Sequence, residues 1–374
     1  MATFKVQFRR GTTAEHTTFT GAQGEITYDT ETNQLVLHDG VTPGGHRIPL
    51  ITDVPTDLNQ LTDVNDVLPQ LMPTTTGTWY GDRAFWSGGE GSVTSATAIS
   101  YVNLTTPGNA ANFGNLQYRR RMATAVSDSN RAVVLGHSQS TYIEGQVDIE
   151  YFATATLGDA AVFGVIGENK QDWGGASDGL YGIAGGGISG NYGQIFYIVI
   201  QIESDASIFG DLKLNKWGVL TSNDSSIALF AGGQYGSYYQ NGIEKISFST
   251  QGTATDHGFL RSVTRSGGGC GNDTISLFVY GREGHQLPHS KKVDYLTTAT
   301  GGTASAAGEL AQLQSYADVT NNGSRAATAG GRYDNNYYKN TIEYIDFSNL
   351  GNVSDFGDLQ SADNSFKCAT SGNL

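Results

Sequence analysis

The feature that most constrains this chain is that it repeats. An apolar stretch followed by a Gly-x-Ala-x-x-Phe-Gly pattern occurs as YVNLTTPGNAANFGNL from Tyr101, YFATATLGDAAVFGVI from Tyr151 and YIVIQIESDASIFGDL from Tyr197. It returns as KISFSTQGTATDHGFL from Lys245, YLTTATGGTASAAGEL from Tyr295 and YIDFSNLGNVSDFGDL from Tyr344. The starts lie 50, 46, 48, 50 and 49 residues apart, and each copy has a glycine 13 positions after its start, at Gly114, Gly164, Gly210, Gly258, Gly308 and Gly357. A second element, a short apolar run ending in glycine, reads RAFWSGGE, RAVVLGHS, LYGIAGGG, IALFAGGQ, SLFVYGRE and RAATAGGR, with first glycines at 88, 136, 185, 232, 281 and 330. Repeats of this length cannot each bury an apolar face alone and must stack on their neighbours.

Strands ending in Gly-Gly, then a loop and an aromatic-bearing strand, resemble the kelch repeat, although its regular Trp is missing. The resemblance covers residues 77–374 and implies propeller blades of strands a, b, c and d. The Gly-Gly element is then strand b, the Tyr element strand c, and the Phe-Gly lies near strand d. The first Gly-Gly element precedes the first Tyr element, and only SADNSFKCATSGNL follows the last. The segment SFKCATS is therefore expected to supply strand a of the first blade, beside residues 84–87, closing the ring without open edges. The recurring glycines are expected at positions needing unusual φ. Gly at 50 residues against Pro at 7, with Tyr 19 and Phe 16, suits many short strands joined by tight turns.

Residues 1–50 follow another rule. FKVQFRR, GEITYDT and QLVLHDG read as short strands, with Asp39-Gly40 and Gly44-Gly45 as breakers. Through Gln7-Phe8-Arg9, Gly11-Thr12-Thr13, Gly24-Glu25-Ile26 and His38-Asp39-Gly40, this stretch resembles the N-terminal β-prism segment of phage major tropism determinant and related tail-fibre proteins. The resemblance implies a trimerising domain at the virion end; the family's lectin-type C-terminal domain is replaced by the repeats. A unit this small buries too little surface to be comfortable alone, which also favours association. Between the two, residues 51–76 carry Leu58, Leu61, Val64, Leu68 and Leu71 at helical spacing, cut short by Pro69. That stripe suits a trimer collar or a helix packed on its own propeller.

The expected fold class is therefore all-β: a small β-prism-like assembly domain over 1–50, a linker or collar over 51–76, and a six-bladed kelch-like β-propeller over 77–374.

A net charge of −14 disfavours nucleic acid, which needs a basic face. No apolar run is long enough to span a membrane, and the start lacks the apolar core of a signal peptide. Cys270 and Cys368 have no partners at metal spacing and read as reduced, buried thiols in different blades, with no bond between them. No cofactor is expected. The acidic run Asp57, Asp63, Asn65 and Asp66 lacks the glycine and glutamate of a calcium loop and reads as solvated surface.

Residues shared by most repeats are scaffold, so Arg83, Arg131 and Arg325 at the start of strand b read as structural. Ser127-Asp128 and Ser177-Asp178 read as ordinary turns rather than Asp-boxes. What remains is aromatic. The b–c loops hold Tyr142, Tyr192, Tyr235, Tyr238 and Tyr239, then His285 and His289, then Arg332, Tyr333, Asn335, Asn336, Tyr337 and Tyr338. The d–a connections hold Arg119, Arg120, Arg121, Lys170, Trp173, Lys216 and Trp217. Both loop sets end on one face, where flat apolar area with polar tips suits carbohydrate or protein recognition; the same tyrosines could equally cap blade ends. The expected role is a non-enzymatic, trimeric virion fibre protein, assembled in the host cytoplasm. It would attach to other virion proteins through residues 1–50 and display a face for a host-surface glycan or protein. A decorating protein binding only virion partners and a host-glycan depolymerase are the alternatives.

Overall fold

A computed structural model describes residues 9–22, 25–32, 34–38, 40–47, 78–89, 96–136, 148–168, 170–188, 190–284, 289–334, 337–351, 353–361 and 368–373. The chain divides into two units, Met1–Pro73 and Thr74–Leu374. The stripe over 51–76 lies outside the described residues.

The first unit is one small sheet. Arg9–Gly11 pairs in parallel with Ile26–Asp29, which runs antiparallel to Gln34–Leu37, itself antiparallel to His46–Arg47. A single helical turn and a half, Thr13–Thr18, interrupts the β structure. It starts on a capping box in which Thr12 and Glu15 satisfy each other's backbone N–H groups. The interior is polar. The Gly21 N–H donates to His38 Nδ1 (3.2 Å), which places the His38 proton on Nε2, where it reaches Thr27 Oγ1 (2.9 Å). The Thr27 hydroxyl then donates to His16 Nε2 (2.8 Å), and His16 Nδ1–H reaches the Thr12 carbonyl (2.9 Å). One set of tautomers satisfies the whole row, as a buried polar chain requires.

Among the described residues, the repeat of the second unit forms six sheets built on four antiparallel strands, beside a separate two-stranded hairpin. From the innermost strand outwards, sheet two is Thr124–Ser127, Arg131–Leu135, Asp148–Ala153 and Ala161–Val165. Sheet three is Gln171–Ser177, Tyr181–Ile188, Gln194–Val199 and Ser207–Asp211; sheet four is Trp217–Asn223, Ile227–Tyr235, Gly242–Ser247 and Thr255–Phe259. Sheet five is Gly268–Gly271, Ile275–Val279, Ser290–Thr297 and Ser305–Gln314; sheet six is Asp318–Asn321, Arg325–Ala329, Thr341–Asp346 and Val353–Asp358. Sheet one combines Arg83–Ser87, Ala98–Asn103 and Ala111–Asn115 with an innermost strand from the far end of the chain, Cys368–Gly372. That strand is in register from Cys368 opposite Ser87 to Ser371 opposite Ala84. Each innermost strand packs on that of the next sheet, and Cys368–Gly372 touches both Asp318–Asn321 and Thr124–Ser127, so the series returns on itself.

Apolar residues from each pair of neighbouring sheets form a separate cluster, and the pair formed by sheets six and one has its own. Along Arg83–Ser87, Ala84 and Trp86 face sheet six while Phe85 faces sheet two. Both faces of such a strand are buried, so it reads as a continuous apolar run rather than an alternation. Cys270 and Cys368 are both buried and lie on the innermost strands of different sheets.

The invariant glycine has a reason other than the one expected. Gly114, Gly164, Gly210 and Gly258 do not have positive φ; of the six, only Gly308 and Gly357 do. A Cβ on Gly114 would stand 1.9 Å from the Gly158 carbonyl oxygen, on Gly164 2.1 Å from that of Ser204, and on Gly210 1.7 Å from that of Gly252. The same approach joins Gly258 to Gly302 and, across the closure, Gly357 to Gly108. Each outermost strand is crossed closely by the preceding turn of the next sheet, which only glycine permits. The rest of the motif staples that crossing. Ala160 N–H donates to the Asn115 carbonyl, Ala206 to Val165 and Ala110 to Asp358, each at 2.8–2.9 Å. Asp159 and Asp205 carboxylates, and Asn109 in the closing pair, accept from the backbone N–H of the neighbouring outer strand. The motif phenylalanines Phe113, Phe163, Phe209 and Phe356 are buried edge-on against Tyr101, Tyr151, Tyr197 and Tyr344.

Candidate binding face

The six sheets present two ends, and the repeat treats them differently. At the end where innermost strands turn into second strands, an Asp or Asn side chain accepts from the N–H groups two and three residues on in five sheets: Asp128, Asp178, Asp224, Asn272 and Asn322. Asp128 and Asp178 thus sit in ordinary Asx turns. Beside them Arg83, Arg131 and Arg325 lie over Tyr101, Tyr151 and Tyr344 at 4.2–5.2 Å and donate to carbonyls of the next sheet. Trp79 is buried at this end, its indole N–H on the Gly271 carbonyl (3.2 Å), and Gly81 lies against Gly372.

At the other end the outermost strands return to the axis. Eight residues after each closing glycine, the backbone turns left-handed at Met122 (φ 55), Asp172 (φ 56), Gly218 (φ 67), Ser266 (φ 51) and Tyr316 (φ 58). The sixth equivalent, residue 365, lies outside the described residues. These turns hold one another: the Asp172 N–H donates to the Met122 carbonyl, Ser266 to Gly218, and Tyr316 to Ser266, at 2.7–2.9 Å. Met122, Asp172, Ser266 and Tyr316 border a recess of about 50 Å³, together with Thr124, Trp173, Thr221 and Asp318. The Ser266 hydroxyl donates to Asp172 (3.0 Å), and Arg265 stands 3.7 Å from the same carboxylate oxygen while covering Trp217 at 4.2 Å and Tyr239 at 5.2 Å. Arg282 donates to the Tyr316 hydroxyl (3.1 Å). Burial lifts the Asp172 carboxyl above its ordinary value, although Arg265, Ser266, Arg121 and Arg282 all draw it down. Burial pushes Asp318 up to about 6 in spite of its accepting from the Ala369 and Val319 N–H groups.

The residues singled out from sequence fall into three groups, the described ones on this end. Tyr142 and His285, with Asn335 and Asn336, lie outside the described residues. Tyr192, Tyr235, Tyr238, Tyr333 and Tyr337 are exposed, Tyr238 most of all at 75%. Two hairpins gather most of them: Tyr235 and Tyr238 pair across one in sheet four, and Tyr333 stacks on Tyr337 (5.5 Å) in one beyond sheet six, where Arg332 lies over Tyr338 at 5.9 Å. Trp217, Tyr239 and Tyr338 are half-buried. Trp173 is buried, 5% exposed, edge-on to Phe196, and offers a partner little more than a strip of the recess wall.

Three of the basic residues are not surface groups. Arg120, Lys170 and Lys216 each stand six positions after a closing glycine and are fully buried. Arg120 pairs with Glu150 (2.7 Å) and Lys216 with Glu244 (3.1 Å), and Lys339 makes the same pair with Glu343 from another segment. These carboxylates follow a bulge in the third strand and also accept from the backbone leaving the outermost strand, as Glu150 does from Gln117 and Glu343 from Ala311. Desolvation lowers the Lys216 ammonium and its carboxylate partner restores part of the loss. Reading loops for basic residues missed this because the acid lies on a different strand. The aligned offset of six would have exposed it, and the offset of eight would have found the recess residues.

The comparisons divide along the same boundary. Residues 6–42 match the major tropism determinant N-terminal domain family. The chain is also similar to a tail fiber receptor-binding protein of Bordetella phage BPP-1, 68% identical over 40 residues, which is 11% of this chain and 10% of that protein. The match thus spans about a tenth of that relative. Among solved structures, that of YjhT aligns with a TM-score of 0.59 at 13% identity, over 76% of this chain and 97% of that one. Only the second unit is long enough to supply that share, so it shares a fold with YjhT. No helix among the described residues is long and apolar enough to cross a membrane.

Proposed function

We propose that this chain is a phage tail-fibre protein, homotrimeric and attached to the virion through its N-terminal unit, whose six sheets are the blades of a kelch-like β-propeller displaying a host-recognition face. The observation that carries the reading is the 68% identity over 40 residues to a tail fiber receptor-binding protein, in a chain whose N-terminal residues 6–42 match the major tropism determinant N-terminal domain family.

The face that fits recognition is the one bearing Tyr235, Tyr238, Tyr333 and Tyr337, because exposed tyrosines offer rigid apolar area at little entropic cost. The opposite end is occupied by Asx turns and Arg–Tyr stacks that serve the fold. The reading is of a binder rather than an enzyme, with a host-surface glycan or protein as its partner. Fluorescently labelled full-length protein should decorate host cells, and Tyr238→Ala with Tyr337→Ala should abolish the signal without loss of folding. A protein that binds purified virion components but no host cell would instead be a decorating part.

A further inference from the structure

We propose that the tyrosine-bearing face carries one subsite twice, in sheet four and beyond sheet six, and that both copies take the same sugar unit of a repeating glycan. This deepens the recognition reading by naming the partner as carbohydrate, and it rests on that reading for where the glycan is found.

The support is a repeat within the repeat. Sheet four continues from Gly232 as GGQYGSYYQNGIE, and sheet six from Gly330 as GGRYDNNYYKNTIE. The two segments are built alike. Both glycines of each pair are left-handed, and each hairpin is closed by one backbone bond, Gln240 N–H to the Gly233 carbonyl (2.8 Å) and Lys339 N–H to that of Gly331 (3.0 Å). Just beyond, the Asn241 and Asn340 carbonyls accept from the Leu260 and Leu359 N–H groups. The first ring of each Tyr-Tyr pair, Tyr238 or Tyr337, is exposed beside a second exposed ring, Tyr235 or Tyr333. The extra residue of the second copy is taken up as a bulge between Arg332 and Asp334.

The fold does not demand these tyrosines. Sheets one and three have the same left-handed glycine pair, Gly88–Gly89 and Gly186–Gly187, with no Tyr-Tyr after it. A ring exposed to 75%, as Tyr238 is, contributes little to packing. Chemistry then names the ligand. Neighbouring phenol rings offer a flat apolar platform with hydroxyls at its edge, which matches the C–H face and ring hydroxyls of a pyranose. The axial recess, about 50 Å³, is too small for a sugar ring, so the contact is made on the surface. Two like subsites on one face match a partner that presents the same unit repeatedly, as a polysaccharide does; a folded protein surface presents each of its patches once. Engaging both copies together raises affinity through effective concentration, with no deep pocket required.

The test uses the full-length chain and a bacterial strain that it decorates. Periodate oxidation of the cells, which cleaves vicinal diols, should abolish binding, whereas protease treatment should not. Tyr238→Ala and Tyr337→Ala should each lower the apparent affinity by a similar factor, about five- to thirtyfold, at unchanged melting temperature. The double variant should bind no cells. Competition then measures equivalence. The probe is the strain's purified surface polysaccharide, cut by mild acid and sized to a single repeating unit. It should inhibit both single variants at the same concentration, because each retains one copy of the same subsite. Binding that survives periodate but not protease would make the partner a protein and overturn the proposal. So would inhibition of the two variants at concentrations more than about tenfold apart, or one variant that binds as wild type does. A chain that decorates no cells defeats the recognition reading and this proposal with it; decoration through unequal hairpins defeats this proposal alone.

Discussion

The two ends of the ring of sheets are built from the same repeat yet differ in what they repeat. At one end the same chemistry recurs: an Asx turn in five sheets, an arginine over a tyrosine in three. At the other a buried basic residue pairs with a glutamate in three places, but the left-handed position two residues beyond the buried base is filled by Met, Asp, Gly, Ser and Tyr in turn. Uniform side chains at equivalent positions satisfy a need every sheet has, which is to end its strands and hold its neighbour. Varied side chains on a uniform backbone satisfy no shared need. Scaffold and candidate site are therefore distinguishable inside one repeat, position by position.

That contrast can be broken most severely at the closure. Deleting residues 364–374 removes Cys368–Gly372 and exposes the edge of Arg83–Ser87 and the walls of two apolar clusters. Aggregation, or loss of the cooperative transition, is the expected result by light scattering and thermal melting. A monodisperse protein with native stability would show that the last strand is dispensable. Next comes the close crossing. Gly210→Ala places a methyl 1.7 Å from a carbonyl oxygen of sheet four and should cost about 3–5 kcal/mol in urea unfolding. The same change at Gly158, which has nothing within 4 Å, should cost under about 1 kcal/mol.

Asp318 sharpens the comparison along the axis. Its folded-state value, about 6, lies above the ordinary carboxylate value near 3.8, so the folded protein binds the proton more tightly than the unfolded chain. Stability from this group is fully present below pH 4 and declines as pH rises towards 6, by about 3 kcal/mol in total. Denaturant unfolding of wild type against Asp318→Asn across pH 4–7 should show the difference between them shrink or reverse in that window. A constant offset would mean that Asp318 titrates normally. The smallest effects belong to the variable end. Tyr238→Ala and Tyr337→Ala should each change stability by less than about 0.5 kcal/mol, yet weaken cell binding by about 1–2 kcal/mol. Undiminished binding in both would return these tyrosines to the role of loop caps.

Much of this was legible before any coordinates. The phase of the two elements placed Cys368–Gly372 beside Arg83–Ser87, and the subtraction of shared residues correctly left Arg83, Arg131 and Arg325 with the scaffold. Other readings failed for definite reasons. The short helix at Thr13–Thr18 was announced by Thr12 and Glu15 at capping-box spacing, but the strand-like runs on either side obscured it. The closing glycines were assigned to unusual φ because that is a residue's own property, whereas their real partner is a turn about 45 residues further on. Arg120, Lys170 and Lys216 looked like surface charges because hydrophilicity is local and burial is not.

What the sequence by itself determined is periodic: the number of repeats, the strand that must come from the far end, and the places where a side chain cannot fit. Periodicity survives without coordinates because every copy obeys the same packing constraint, and six copies make the constraint visible. What only the tertiary structure decided is convergence. Asp172, Ser266 and Tyr316 share an offset of eight from their closing glycines, but nothing in the sequence joins them to one another or to Arg282, and together they span well over a hundred residues. They meet because each outermost strand must return to the same axis, and the chemistry of that meeting point is set by distances between segments that no local pattern encodes.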